Sequence, residues 1–142
     1  MRLFFIIPFL LVAHLGFSQI TANLTVSISN IEVDGTKIYA GLYANINDFK
    51  KKSNAIDSVI MIPKTKTVEV LFKNVPGGYY AFAVFQDLNS NGKLDTKEFG
   101  IPIEPVGISN YSSTKITLPP TFKKAKFYLS GDTLISVLLL IK

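Results

Sequence analysis

Tyr79-Tyr80-Ala81-Phe82-Ala83-Val84-Phe85 is apolar on both faces of an extended chain. A half-buried strand alternates apolar and polar residues; one without that alternation must be covered on both sides. The stretch therefore reads as the central strand of a sheet. Upstream, Asn74-Val75-Pro76-Gly77-Gly78 places Pro and Gly where turns take them. Thr67–Phe72 and Leu24–Ser29 alternate with the period of half-buried strands. Ser58–Ile62 is a short apolar strand closed by Pro63, and Ile38–Tyr43 returns from a hairpin-like Asp34-Gly35 turn. Residues 44–57 read as a loop or one short helix starting near Asn47 or Asp48. Downstream, residues 87–114 show no clear strand or helix. Lys115–Leu118 reads as a short strand ended by Pro119-Pro120, Ala125–Leu129 leads into a Ser130-Gly131-Asp132 turn, and Leu134–Ile141 is an apolar terminal strand. Short strands separated by turn signals predict an all-β domain, an antiparallel β-sandwich of about seven strands.

The chain has 142 residues, a net charge of +5, 48% apolar residues and a mean hydropathy of +0.32. Residues 1–18 carry much of that hydropathy. Arg2 precedes an apolar run from Leu3 to Val12, and small residues Gly16 and Ser18 follow, the layout of a cleavable signal peptide. The run is about ten residues, against about 20 for a membrane span. The expected mature domain is 19–142, exported and not membrane-spanning. No cysteine follows the apolar run to carry a lipid anchor.

The expected leader contains the single Arg (Arg2) and single His (His14), and the chain has no Cys or Trp. The mature domain then lacks Cys, His, Trp and Arg. That excludes Ser-His-Asp and Cys-His chemistry and removes the best zinc and copper ligands. It also removes the guanidinium fork for guanine or phosphate. Nucleic acid is not an expected partner. The donors left are oxygens, which suit calcium or magnesium.

Asp87-Leu88-Asn89-Ser90-Asn91-Gly92-Lys93-Leu94-Asp95-Thr96-Lys97-Glu98 matches D-x-[DN]-x-[DN]-G-x5-E at every specified position. Calcium takes six to eight oxygens at about 2.3–2.6 Å. Alternate residues Asp87, Asn89 and Asn91 can turn oxygens inward, and Gly92 permits the sharp wrap. Lys93 would give its backbone carbonyl, Asp95 would bind directly or through water, and Glu98 would close the site. A strand precedes the loop, and Gly100, Pro102 and Pro105 prevent a helix after it. The prediction is thus an EF-hand-like loop on a β scaffold, holding structural Ca2+ with a Kd on the order of 10⁻⁴–10⁻³ M. The alternative is a metal-free turn in which Asp87, Asn89 and Asn91 bond their own backbone.

That run, followed by Phe99-Gly100-Ile101-Pro102, Glu104 and Gly107-Ile108-Ser109-Asn110, resembles the signature of the bacterial exported family "domain of unknown function 2141". Val75-Pro76-Gly77-Gly78-Tyr79-Tyr80-Ala81 and Phe85-Gln86-Asp87 are similar to its approach to the loop. Gly78, Gln86 and Pro105 depart from its pattern. The resemblance covers roughly residues 22–141. It implies a small β-sandwich (transthyretin/immunoglobulin-like) exported to the periplasm or extracellular space of a bacterium, with no assigned activity.

The function expected is a non-enzymatic binding or envelope-associated structural module with an unidentified envelope or extracellular partner. The calcium-ordered loop would present Ile101–Asn110. A second expectation is a carbohydrate-binding or small-ligand carrier module, which needs two or more exposed Tyr or Phe lining a groove. A third is a small hydrolase, which needs two carboxylates in one pocket apart from the ion loop. Lys50–Lys52 and Lys123, Lys124 and Lys126 read as solvated faces, and the tyrosines as packing residues.

Overall fold

Leu24, Val26 and Ile28 are fully buried while Thr25, Ser27 and Ser29 on the other face are half-buried. That alternation forms β1 (Thr21–Ser29), and the same period forms β4 (Thr67–Pro76). The computed structural model describes residues 20–111 and 119–140. The other elements, in order, are β2 (Lys37–Tyr43), α1 (Ile46–Lys51), β3 (Asp57–Met61), β5 (Gly78–Asp87), a 3-10 turn (Glu98–Gly100), β6 (Val106–Ile108), α2 (Phe122–Ala125), β7 (Phe127–Leu129) and β8 (Thr133–Leu138). The chain is mostly β, with two short helices. The expected leader and the Lys115–Leu118 strand lie outside the described residues.

The strands form two sheets. One has the order β4-β1-β8; the other has the order β3-β2-β5-β6, with β7 also pairing with β5. Leu24, Val26, Ile28, Phe72 and Val137 of the first sheet share one core with Ile38, Leu42, Phe82 and Val84 of the second. Each fully buried Leu, Ile or Phe contributes about 1.5–3 kcal/mol.

β5 is central, as its apolar run predicts, with β2 on one side and β6 on the other. Phe82 and Val84 enter the main core. Ala81 and Ala83 point to the opposite face and join a second cluster with Tyr43, Phe49, Ile108 and Ala125. Alanines there leave room for the two helices. Phe49 packs edge-on against Tyr43 and Phe122, with centroids 5.8 and 5.9 Å apart.

Two pairing expectations are corrected. β2 does not return beside β1; it crosses to the other sheet. The seven residues between the strands exceed a hairpin loop, and Ile31 is buried among them. Gln86, itself fully buried, fastens this crossing. Its Oε1 accepts from Glu32 N at 3.0 Å, and its Nε2 donates to Glu32 O at 2.6 Å and Thr36 Oγ1 at 2.8 Å. The Thr36 hydroxyl, and then its backbone N–H, hold the Asp34 carboxyl below the usual carboxylate range. The pairing is also not wholly antiparallel, because β1 and β8 run parallel from Leu24↔Thr133 to Ser29↔Leu138. Their register tracks two ends of the chain that no turn connects.

β4 and β5 also lie in different sheets, and Gly77 alone joins them. A Cβ at Gly77 would meet the Leu129 and Ile20 carbonyl oxygens at 3.4 and 3.5 Å, ordinary contact distances. Tyr80 donates its hydroxyl to Pro76 O at 2.8 Å and braces the step.

Candidate functional site: an asparagine-rich loop beside an aromatic groove

β5 ends at Asp87, which is buried at the start of the loop. Asp87 Oδ1 accepts from Asn91 N at 3.1 Å, and Oδ2 accepts from Gly92 N at 2.8 Å. Asn89 Oδ1 accepts from Asn91 N, and Asn91 Oδ1 accepts from Lys93 N. These are the local side-chain to backbone bonds that Asp and Asn make in turns. Gly92 has φ +76, the conformation its lack of a Cβ allows. Asp95 Oδ2 gathers the loop from its far end, accepting from Asn89 Nδ2 at 2.6 Å and Asn91 Nδ2 at 2.9 Å.

Asp87, Asn89, Asn91 and Asp95 are therefore joined by hydrogen bonds in one turn network. Lys93 contributes its backbone N–H to Asn91, and its side chain takes no part in these bonds. Glu98 lies apart. It is exposed on the 3-10 turn, and among the described residues no hydrogen bond joins it to the other five. Among the described residues no group of three or more Asp, Glu, His or Cys is placed to hold a metal ion.

Glu104 is the residue whose role here sequence reasoning missed. It is buried, with Oε1 accepting from Leu88 N at 2.9 Å and Oε2 accepting from Asp95 N at 3.0 Å. One carboxylate thus ties the two ends of the loop. Its signal was indirect: Glu104 stands in the family-like run after the loop, but no position of the 87–98 calcium pattern points to it. Ser109 is likewise structural. Its buried hydroxyl accepts from Phe82 N at 2.9 Å and donates to Ala125 O at 2.7 Å, binding α2 to β5.

Beside the loop, a groove of about 910 Å³ opens on the outer face of the five-stranded sheet. That volume is in the range of small-molecule sites, about 300–1,000 Å³. Tyr39 of β2 and Phe85 of β5 form its floor as a cross-strand pair, stacked with centroids 5.0 Å apart and planes within 8°. Gly41 and Ala83 keep the neighbouring floor low; a Cβ on Gly41 would meet the Tyr43 hydroxyl at 2.8 Å. One wall is Gly92, Lys93 and Leu94 of the loop, continued by Phe99. The opposite wall is Lys50, Lys51 and Lys52.

Two wall residues hold unusual conformations. Phe99 has φ 63 and is 86% exposed. A bulky aromatic in the left-handed region, with its ring in solvent, is a strained arrangement of a kind that gathers at ligand clamps. Lys52 caps α1 at φ 53. Its ammonium turns back onto the chain, donating to Phe49 O at 2.5 Å and lying 3.9 Å from the Phe49 ring centroid. Desolvation there pushes the Lys52 ammonium down to about 8 from the usual 10.5. Burial also pushes the Tyr43 hydroxyl up.

No helix among the described residues is long and apolar enough to cross a membrane. No curated protein and no solved structure matches the chain. Residues 26–136, well over half of the sequence, match the bacterial family described as "Uncharacterized protein conserved in bacteria (DUF2141)", and the chain belongs to that family.

Proposed function

We propose that the protein is an exported, non-enzymatic binding module whose ligand lies in the groove over Tyr39 and Phe85. The stacked floor with the strained, exposed Phe99 at its wall carries this reading. The shared core of the two sheets supports a β-sandwich as the scaffold. The leader-like residues 1–18 support delivery to the periplasm or beyond, where an envelope component would be the source of the ligand.

Between the two ligand types, the groove favours a small-molecule carrier over a carbohydrate-binding module. Sugar hydroxyls are held by carboxylates and side-chain amides as well as by ring stacking. The described lining has neither, offering Tyr, Ser, Thr and Lys as its polar side chains. The same lack of paired carboxylates turns the reading away from glycoside hydrolysis. The test is titration with N-phenyl-1-naphthylamine, a neutral apolar fluorophore. Saturable binding of one probe per chain, weakened several-fold by Phe99→Ala, is the expected result; no saturable binding overturns the groove as a site.

For the loop we propose structural calcium, held by Asp87, Asn89, Asn91, the Lys93 carbonyl and Asp95. Support comes from the full motif match and from the meeting of those four side chains. Binding would require the Asn89 and Asn91 amides to turn their oxygens inward, away from their present bonds. Glu98 would have to approach from its exposed position, so it is the ligand the arrangement supports least. EDTA is expected to lower the melting temperature and millimolar calcium to restore it, with Asp87→Ala matching the chelated state. Identical melts in EDTA and in millimolar calcium would sink the metal.

A further inference from the structure

Resting on the groove as the ligand site, we infer that its occupant is a small amphiphile bearing one acid group, and that Lys52 pairs with that group. Charge on the walls is one-sided. Lys50, Lys51, Lys52 and Lys93 line the groove, and no Asp or Glu does so among the described residues. The space between the lysines is apolar and aromatic, with Phe99, Leu94 and Pro102 across from α1. An anion carried on an apolar body satisfies both features at once; a neutral body leaves the lysines unanswered.

Lys52 differs from the other three lysines in its setting. Its Nζ is pressed against Phe49 and lies 6.0 Å from the Tyr43 centroid. Of its three donors, one goes to the Phe49 carbonyl. Nearby Asp48 does not serve as the counter-ion, because its carboxylate accepts from Asn45 Nδ2 at 2.6 Å and Asn54 Nδ2 at 3.1 Å. Among the described residues no carboxylate answers this ammonium, and its two remaining donors are free to form a charge-assisted pair with an incoming anion. The left-handed cap fixes its backbone, and the Phe49 ring fixes its head, so little freedom is lost on pairing.

The experiment compares two fluorophores with the same aromatic body: 8-anilinonaphthalene-1-sulfonate, an anion, and neutral N-phenyl-1-naphthylamine. The sulfonate is expected to bind about tenfold more tightly, the scale of one charge-assisted hydrogen bond. Lys52→Met should remove that preference, so that the two probes bind with equal affinity. Lys52→Arg should retain most of it, and Lys64→Met, outside the groove, should change nothing. Decanoate or decyl phosphate should displace the sulfonate, distinguishing a carboxylate from a phosphate ligand, and decanol should not. Equal affinities for the two probes, an unchanged preference in Lys52→Met, or displacement by decanol alone would overturn the inference and leave the groove standing. Saturable binding of neither probe would remove the groove itself.

Discussion

Glu104 shows what one buried carboxylate does among residues 20–140, which hold no arginine or histidine. With two oxygens it satisfies the backbone N–H groups of Leu88 and Asp95 across the mouth of the loop. Glu104→Ala would leave both donors unpaired. The expected cost is about 2–4 kcal/mol in denaturant unfolding, since each lost bond to a charged group is worth about 1.5–3 kcal/mol and solvent recovers part of it. Glu104→Gln keeps one acceptor and should cost about half as much. Lys52 gives a second prediction at this scale. Its folded-state pKa lies below its unfolded value, so the unfolded chain binds more protons between about 8 and 10.5, and stability rises with pH across that window. Tyr43 acts oppositely. Burial raises its pKa above 10, so its contribution is present below pH 10 and is lost as pH rises further. Lys50, Lys51 and Lys93 share the groove and Asp48 sits near the cap, but none of them follows Lys52 to Met. Chemical denaturation from pH 7 to 10 should therefore show a rise in the parent that is absent in Lys52→Met.

At the scale of elements, α1 is short and depends on its cap. Asn45 Oδ1 accepts from Asn47 N and Asp48 N, both at 3.0 Å, and its Nδ2 returns a bond to Asp48. Asn45→Ala should cost about 1 kcal/mol in stability. Because α1 carries Lys50–Lys52, it should also weaken the sulfonate probe while sparing the neutral one. The helix was legible only as one of two options, since six residues give too little period to separate a helix from a loop. β5 was fully legible, because the absence of alternation from Tyr79 to Phe85 has one physical solution, cover on both faces. β6 was not. Val106-Gly107-Ile108 is three residues long, and its glycine breaks the apolar pattern. The structure explains that glycine: a Cβ there would meet Val137 Cγ1 at 2.7 Å and Leu138 O at 3.0 Å, so β8 packs where a side chain would stand. The motif marked the loop at Asp87, Asn89, Asn91, Gly92 and Asp95 but misplaced Glu98, whereas the groove was not legible, because Tyr39, Lys52, Phe85 and Phe99 share no spacing along the chain.

For the whole molecule, strand existence followed from local pattern except at β6, but strand partnership did not. A turn signal such as Asp34-Gly35 reports that the chain bends, not which sheet it enters. The parallel pair β1–β8 is the extreme case, since its partners lie 109 residues apart from Leu24↔Thr133 onward. β1 sits in the middle of its sheet, yet neither neighbour is near it in sequence: β4 begins at Thr67 and β8 at Thr133. Of the described strands, β1 is thus the first to be made and the last to be paired on both edges. Until Leu138 is available, the Leu24–Ile28 face has an open edge that other chains can join. Stopping the chain at Asp132 should yield a protein that aggregates on expression, read by sedimentation and by loss of a cooperative melt. A soluble, cooperatively melting product would show that β8 is dispensable. Closure of the three-stranded sheet therefore waits for β8, in whatever order the other strands fold.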